Sequence, residues 1–192
     1  MARKALAPAL LALFIAIGMR TGGAAMAAPP ACPDTGVPGA QLELPEFDAS
    51  VFCLINRRRA DNGSGVLVAN HTLHRAARSY SDSLLEGHFF SHHGDFGGRR
   101  TGSTVIGRLR EMGYIRPGYD WVVGEDLHWT TAEESTPADT VQAWMDSAIH
   151  RKYLLNPKFD ELGIGAMRGV PYSANQVDGI TVAAEFGFRR PR

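Results

Sequence analysis

The stretch that decides the fold covers residues 123–157 and reads VGEDLHWTTAEESTPADTVQAWMDSAIHRKYLLNP. It opens with strand character and then gives strong helix signals. Thr136 can accept an N–H hydrogen bond as N-cap, and Pro137 falls in the first turn, where a missing N–H is tolerated. The apolar face of this helix consists of Val141, Trp144, Met145 and Ala148. The stretch therefore predicts a strand followed by an amphipathic helix, with His150 just past the helix end.

Helical and strand patterns also occur in the rest of the chain. Apolar residues at helical spacing predict a first helix that starts at Asp48 or Ser50 and a second that follows the N-cap Asn70. A third, short helix is expected to end at Gly113, a good residue for a left-handed terminus. Short apolar runs bounded by turn residues predict strands at residues 163–167 and 180–186.

Length and composition predict one globular domain without nucleic-acid affinity. The chain has 192 residues, of which 44% are hydrophobic and 21% charged, with 20 basic and 20 acidic side chains. Basic residues cluster only at 57–59 and 189–192. A nucleic-acid-binding protein would normally carry a basic stripe, so this class is excluded.

The N-terminus predicts export. Arg3 and Lys4 precede an apolar run over residues 5–19, and small residues follow, which is the layout of a secretory signal peptide with cleavage near Ala27. An uncleaved anchor is the alternative, but Pro8 interrupts the run, which is shorter than the roughly 20 residues that span a bilayer. Losing residues 1–27 removes three basic residues and no acid, so the mature chain is weakly acidic.

Two cysteines, Cys32 and Cys53, lie in the part predicted to be exported. An even number in an oxidising compartment predicts one disulfide, which would tie the N-terminal arm to the first helix. The predicted organisation is a signal peptide at 1–27, an irregular Pro- and Gly-rich arm at 28–47, a domain at 48–188 and a basic tail at 189–192.

Seven short motifs carry a resemblance to a known family. They are LINRRR (54–59), FFSH (89–92), GEDL (124–127), AWMDS (143–147), HR (150–151), GIG (163–165) and EFG (185–187). Their order and spacing resemble the CAP superfamily (cysteine-rich secretory, antigen 5, pathogenesis-related 1), in particular its bacterial secreted, SCP-like branch. The resemblance implies an α/β (α+β) fold, a three-layer α-β-α sandwich with a small, mostly antiparallel central sheet. It also implies a cleft with two histidines and two acids, in which some members bind a divalent metal such as zinc.

Carried over motif by motif, the resemblance assigns four residues to this cleft. His92 and His150 are the candidate metal ligands, Glu125 is the candidate catalytic acid or base, and Asp139 takes the place of the second acid. Two positions depart from the family pattern. Asp139 is one methylene shorter than the usual Glu, and Asp126 stands where the family usually has Asn.

Structural roles compete with these assignments. Asp139 is the third residue after Thr136 and is favoured as part of a helix cap. His150 could interact with a helix C-terminus, and His93 competes with His92 on sequence alone. Glu125 stands in an otherwise apolar strand, where its charge must face water or a partner.

Three functions of different class follow from these residues. We prefer a secreted module whose cleft binds a small ligand or divalent metal without turnover. The second hypothesis is a weak metal-dependent hydrolase of peptide or cell-envelope substrates, with Glu125 as base. The third is a lipid- or protein-interaction module in which the four residues are structural. A lipid groove could use apolar residues, although these are more often core: Phe89, Phe90, Trp121 and Trp129. We expect a monomer.

Overall fold

The computed structural model describes residues 31–96, 99–100, 103–131, 135–173 and 178–192. After a 3-10 turn at Gly39–Gln41, the helices are α1 (Leu44–Asp61), α2 (His71–Glu86), α3 (Val105–Glu111), α4 (Pro137–Asp146) and α5 (Ala148–Leu154). The strands are β1 (Val68–Ala69), β2 (Asp95–Phe96), β3 (Arg99–Arg100), β4 (Tyr119–Thr130), β5 (Glu161–Arg168) and β6 (Ile180–Pro191). The predicted signal peptide at 1–27, and the first residues of the predicted arm, lie outside the described residues.

A four-stranded sheet in the order β1-β5-β6-β4 forms the middle layer. The β4–β6 and β5–β6 pairs are antiparallel and only the two-residue β1 pairs in parallel, with β5. Side chains alternate across β6: Val182 and Ala184 join a core with α1 and α4, whereas Ala183 packs with Ala77 and Tyr80 of α2. The predicted three-layer α-β-α sandwich with a mostly antiparallel sheet is confirmed.

Two glycines of β5 let α2 lie directly on the sheet. A Cβ placed on Gly163 would stand 2.7 Å from the Cα of His74, and one on Gly165 would stand 2.6 Å from the carbonyl carbon of Ala77. The GIG sequence therefore fixes the distance between the helix and the strand. Ile164, between the glycines, points to the opposite core.

Local signals predicted several helix ends correctly. The side chain of Asn70 accepts hydrogen bonds from the first turn of α2, and Thr136 caps α4. Gly113 follows α3 with φ of 78°, a conformation that glycine adopts without strain.

Other predicted boundaries were wrong. Helix α1 begins at Leu44, inside the predicted irregular arm, because the side chains of Glu43 and Glu46 form a reciprocal capping box. Asp48 is thus interior to the helix and accepts the Ala166 N–H at 2.9 Å. At the other end, most of the predicted basic tail belongs to β6, whose last residue is Pro191.

The predicted disulfide is present in the structure. Cys32 and Cys53 are bonded, with their Cα atoms 5.6 Å apart and a separation of 21 positions in sequence. The bond joins the N-terminal segment to the middle of α1. Closing a loop of this length stabilises the fold by about 3 kcal/mol in the chain-entropy model. Within the described residues, no helix is both long and apolar enough to cross a membrane.

Candidate functional site

A cleft of about 500 Å³ runs along β4, which is an edge strand of the sheet. Residues 121–126 of β4 form one wall. The rest of the lining comes from α3, α5 and the segment that follows α2: His92, Val105, Ile106, Ile149, His150 and Tyr153. Three of the four predicted site residues, His92, Glu125 and His150, therefore meet in one cleft.

His92 contacts Glu125 directly. Its Nδ1 lies 2.8 Å from Oε1 of Glu125, and its side chain is 46% exposed whereas that of Glu125 is 1% exposed. The segment that carries His92 is fixed by the Tyr80 hydroxyl, which donates to the Ser91 carbonyl at 2.6 Å. His93 is exposed and its N–H is donated to Ser91 Oγ. Of the two adjacent histidines, the structure thus brings His92 to the acid.

Arg108 of α3 neutralises Glu125. Its guanidinium forms an ion pair with Oε2 of Glu125, covers the Tyr80 ring at 3.3 Å from the ring centroid and donates to the His92 carbonyl at 3.3 Å. Because its side chain is only 11% exposed, water screens this pair weakly. Both carboxylate oxygens of Glu125 are therefore engaged, one by His92 and one by Arg108.

Two more buried acids lie beside Glu125. Glu185 pairs with Glu125 across the β4–β6 ladder and lies 3.9 Å from Arg108. Burial, and secondly the charge of Glu125, raise the pKa of Glu185 well above its ordinary value. The same two causes, in the same order, raise the pKa of Asp126 to about 9. Arg108 balances the charge of Glu125, and a pKa of about 9 keeps the Asp126 carboxyl neutral near pH 7.

We expect Asp126→Asn to stabilise the protein increasingly as pH rises. The unfolded chain releases the Asp126 proton near 3.8, whereas the folded protein keeps it until about 9. As the pH rises from about 3.8 to about 9, the wild-type free energy of unfolding therefore decreases, by up to about 1.4 kcal/mol per pH unit. Urea unfolding should show the variant gaining about 2 kcal/mol over wild type between pH 5 and pH 7. The control is Asp120→Asn, at an exposed position of the same strand. An Asp126→Asn gain that is the same at both pH values would contradict the buried neutral acid.

The sequence predicted His150 just past a helix end, but the structure places it within α5. The chain leaves the helical conformation at Ser147, with ψ of 117°, and α5 begins at the next residue. Burial, and then the charge of His92, lower the pKa of His150. His150 is therefore a neutral imidazole at pH 7.

Asp139 does not line the cleft of His92 and His150. It is exposed at the first turn of α4, where its carboxylate bonds to the Thr136 hydroxyl while its N–H is donated to the same oxygen at 3.1 Å. It lines a separate depression of about 560 Å³ with His128. Burial, and then His150, lower the pKa of His128 to about 4, with Asp139 opposing. The structure therefore gives Asp139 the contacts of a helix cap.

Sequence reasoning missed Arg108 and Glu185, although a signal for each was present. Arg108 stands on the apolar stripe of α3 with Val105, Leu109 and Met112. Glu185 interrupts the apolar run of β6 just as Glu125 interrupts that of β4. A charge on the buried side of an element predicts a buried partner, and these two residues share Glu125.

Comparison with known proteins identifies the family. The model of the CAP family, described as the cysteine-rich secretory protein family, matches residues 52–178. The chain belongs to this family. The membership predicted from seven motifs is thereby confirmed, and His92, Glu125 and His150 all lie within the matched residues.

Bacterial proteins are similar to this chain in sequence or in fold. The chain is 28% identical to the Bacillus subtilis (strain 168) protein YkwD over 119 residues, which cover 62% of this chain and 42% of YkwD. It superposes on an extracellular, SCP-domain protein of Bacillus anthracis with a TM-score of 0.59 at 22% identity, covering 83% of this chain and 44% of that one. For an outer surface protein of Borrelia burgdorferi the TM-score is 0.60 at 20% identity, and the superposition covers 78% of this chain and 97% of the Borrelia protein. The structural likenesses establish the fold, and the chain spans less than half of the two Bacillus proteins.

Proposed function

We propose that this CAP domain is an extracellular binding module whose cleft holds a divalent cation such as zinc between His92 and His150, without turnover. The observation that carries the proposal is the contact of His92 Nδ1 with Glu125. An ionised carboxylate only accepts hydrogen bonds, so Nδ1 donates, and in the neutral imidazole this tautomer has its lone pair on Nε2. Histidines that bind metal usually donate their other N–H to a carboxylate or carbonyl in this way.

The electrostatic state of the second histidine also favours a cation. The lowered pKa of His150 keeps its imidazole neutral and able to bind metal near pH 7. Among the described residues, no group of three or more His, Cys, Asp and Glu side chains is placed to hold a metal ion. Two imidazoles therefore fit a weak site, whose remaining positions are filled by water or by a ligand.

The contacts of Glu125 favour binding over hydrolysis. A general base must be free to take a proton from water. Glu125 instead bonds to His92 and Arg108 and its side chain is 1% exposed. Asp139, the other candidate acid, lines the separate depression. Glu125 is thus better suited to orienting His92 than to acting as the general base of a hydrolase.

Two observations support an extracellular location and a cleft as the binding site. The predicted signal peptide and the extracellular or outer surface descriptions of the structural relatives support an extracellular location. Phe89 and Phe90, considered for a lipid groove, pack against the core of α2 and β4. The small-ligand cleft is therefore a better candidate than a lipid surface.

Calorimetric titration with zinc tests the proposal. We expect wild type to bind in the micromolar to millimolar range and His92→Ala and His150→Ala each to weaken binding at least about tenfold. The matched control is His93→Ala, which removes an exposed histidine adjacent to His92. Absence of zinc binding at millimolar concentration, or equal weakening by the control, would refute the metal site.

A further inference from the structure

The basic end of β6 lies beside two arginines that are distant from it in sequence. A depression of about 610 Å³ is lined by Arg192, by Arg110 of α3 and by Arg116 of the connection between α3 and β4. All three arginines are exposed, and the described residues that line the depression include no acid. The whole chain has 20 acidic and 20 basic side chains. The fold therefore gathers positive charge at this end of β4 and β6.

Two of the three guanidinium groups can bind a ligand without breaking an ion pair. Arg110 forms no hydrogen bond or ion pair within the described part of the chain. Arg116 donates its Nε–H to the Gly113 carbonyl at 2.7 Å, which holds the side chain in place and leaves the outer N–H groups pointing away from that bond. Arg192 instead pairs with Asp120 at 2.9 Å, and an exposed pair of this kind is weak. Arg110 and Arg116 thus supply two positive charges that no ion pair among the described residues balances.

A phosphate group complements these donors. Guanidinium groups bind phosphate through paired N–H donors and keep their charge at every physiological pH. The oxygens of a phosphate point in several directions, so one group can accept from Arg110 and Arg116 together, although these come from different elements. The two oxygens of a carboxylate are already matched by a single guanidinium. A nucleic-acid-binding protein would need a longer basic stripe, so the depression fits an isolated phosphate group.

The size and the aromatic lining of the depression indicate which molecule carries the phosphate. The depression is far larger than a phosphate group, and Tyr119 and Trp121 line it beside the arginines. Residues two apart in a strand point to the same face, so both rings lie on one side of β4 and offer surfaces on which the C–H face of a sugar can stack. None of the exposed large apolar side chains of the described residues lines the depression. A membrane surface, into which apolar side chains insert, is therefore disfavoured.

We infer that this depression binds a phosphorylated sugar, with the phosphate between Arg110 and Arg116 and the sugar ring against Tyr119 and Trp121. Trp121 also lines the cleft that contains His92, so the two sites are neighbours along β4. The phosphate site uses none of the predicted metal ligands and does not depend on a metal in the cleft.

Titration with glucose that carries a phosphate ester on its primary hydroxyl tests the inference. Binding is followed by NMR in the presence of a chelator, so that a metal in the cleft does not contribute. We expect saturable binding at millimolar concentration, at least about fivefold weaker binding of glucuronate and no binding of glucose. The amide signals of residues 110–121 should shift, and added salt should weaken binding because the arginines are exposed. No binding of the glucose phosphate, or equal binding of glucose, would overturn the inference.

Surface variants locate the phosphate and the sugar separately. Arg110→Gln and Arg116→Gln should each weaken binding of the glucose phosphate at least about fivefold. The matched control is Arg57→Gln, which removes an exposed arginine of α1 from the other basic cluster and should leave binding unchanged. Tyr119→Ser should weaken binding of the glucose phosphate but not of inorganic phosphate. Equal weakening by Arg57→Gln, or sedimentation of the protein with phosphatidylglycerol vesicles without binding of the glucose phosphate, would reject the sugar site.

Discussion

Replacing Arg108 by methionine is expected to lower the free energy of unfolding by about 3–5 kcal/mol, the usual effect of removing one partner of a buried ion pair. Methionine keeps much of the side-chain length and the contact with Tyr80 but leaves the Glu125 carboxylate without its cation. Glu185 cannot compensate, because it is a further acid 3.9 Å from the same guanidinium. Urea unfolding at pH 7 measures the loss.

Two further variants assign this loss to the buried charge. Arg110→Met alters an exposed arginine of the same helix and should change stability by less than about 0.5 kcal/mol. Adding Glu125→Gln to Arg108→Met should restore part of the loss, since the pair is then absent and not broken. Equal effects of Arg108→Met and Arg110→Met would exclude the ion pair as the cause.

The Arg108 cluster also shows which part of the site could be predicted. Glu125 was found by its charge in an apolar strand, a feature visible in a single element. Its partners come from α3 and from the segment after α2, which only the folded chain brings together. The position of Arg108 on the apolar stripe of α3 predicts that its side chain faces inward. It does not predict which acid forms the ion pair with it.

Local and distant interactions account for the correct and incorrect boundaries of the fold. The caps at Asn70 and Thr136 depend on residues two or three positions away, and the sequence predicted both. The predicted start of α1 was wrong because Pro and Gly in the arm suggested irregular structure. Pro45 in fact occupies the first turn of the helix. The break at Ser147 carries no Gly or Pro signal, so His150 was expected after one helix and lies inside the next.

The role of Asp139 was open in the sequence for a physical reason. Family register assigned it to the cleft, while its position after Thr136 favoured a cap. The short Asp side chain reaches the Thr136 hydroxyl in its own first turn. The neighbouring depression holds His128, whose pKa responds to Asp139. Local capping thus prevails over the tetrad that the family resemblance implies.

Replacing Gly163 by alanine is expected to destabilise the protein by at least about 3 kcal/mol, at the upper end of overpacking effects. The new Cβ would stand 2.7 Å from the Cα of His74 and closer still to the backbone of the same turn of α2. Backbone cannot rotate away as a flexible side chain can, so α2 must move off the sheet. Gly65→Ala is the matched control, because nothing lies within 4 Å of its added Cβ, and it should change stability by less than about 0.5 kcal/mol.

The same substitution links the fold to the cleft. Helix α2 carries Tyr80, which holds the Ser91 carbonyl next to His92 and lies beneath Arg108. A shift of α2 therefore displaces the groups that orient His92 toward Glu125, and Gly163→Ala should weaken zinc binding at temperatures where the protein is still folded. Unfolding curves and zinc titrations of Gly163→Ala and Gly65→Ala check both effects. If Gly163→Ala matched Gly65→Ala in stability, the direct seating of α2 on β5 would be wrong; if it lost stability but kept full zinc affinity, the cleft would be held by α3 and β4 independently of α2.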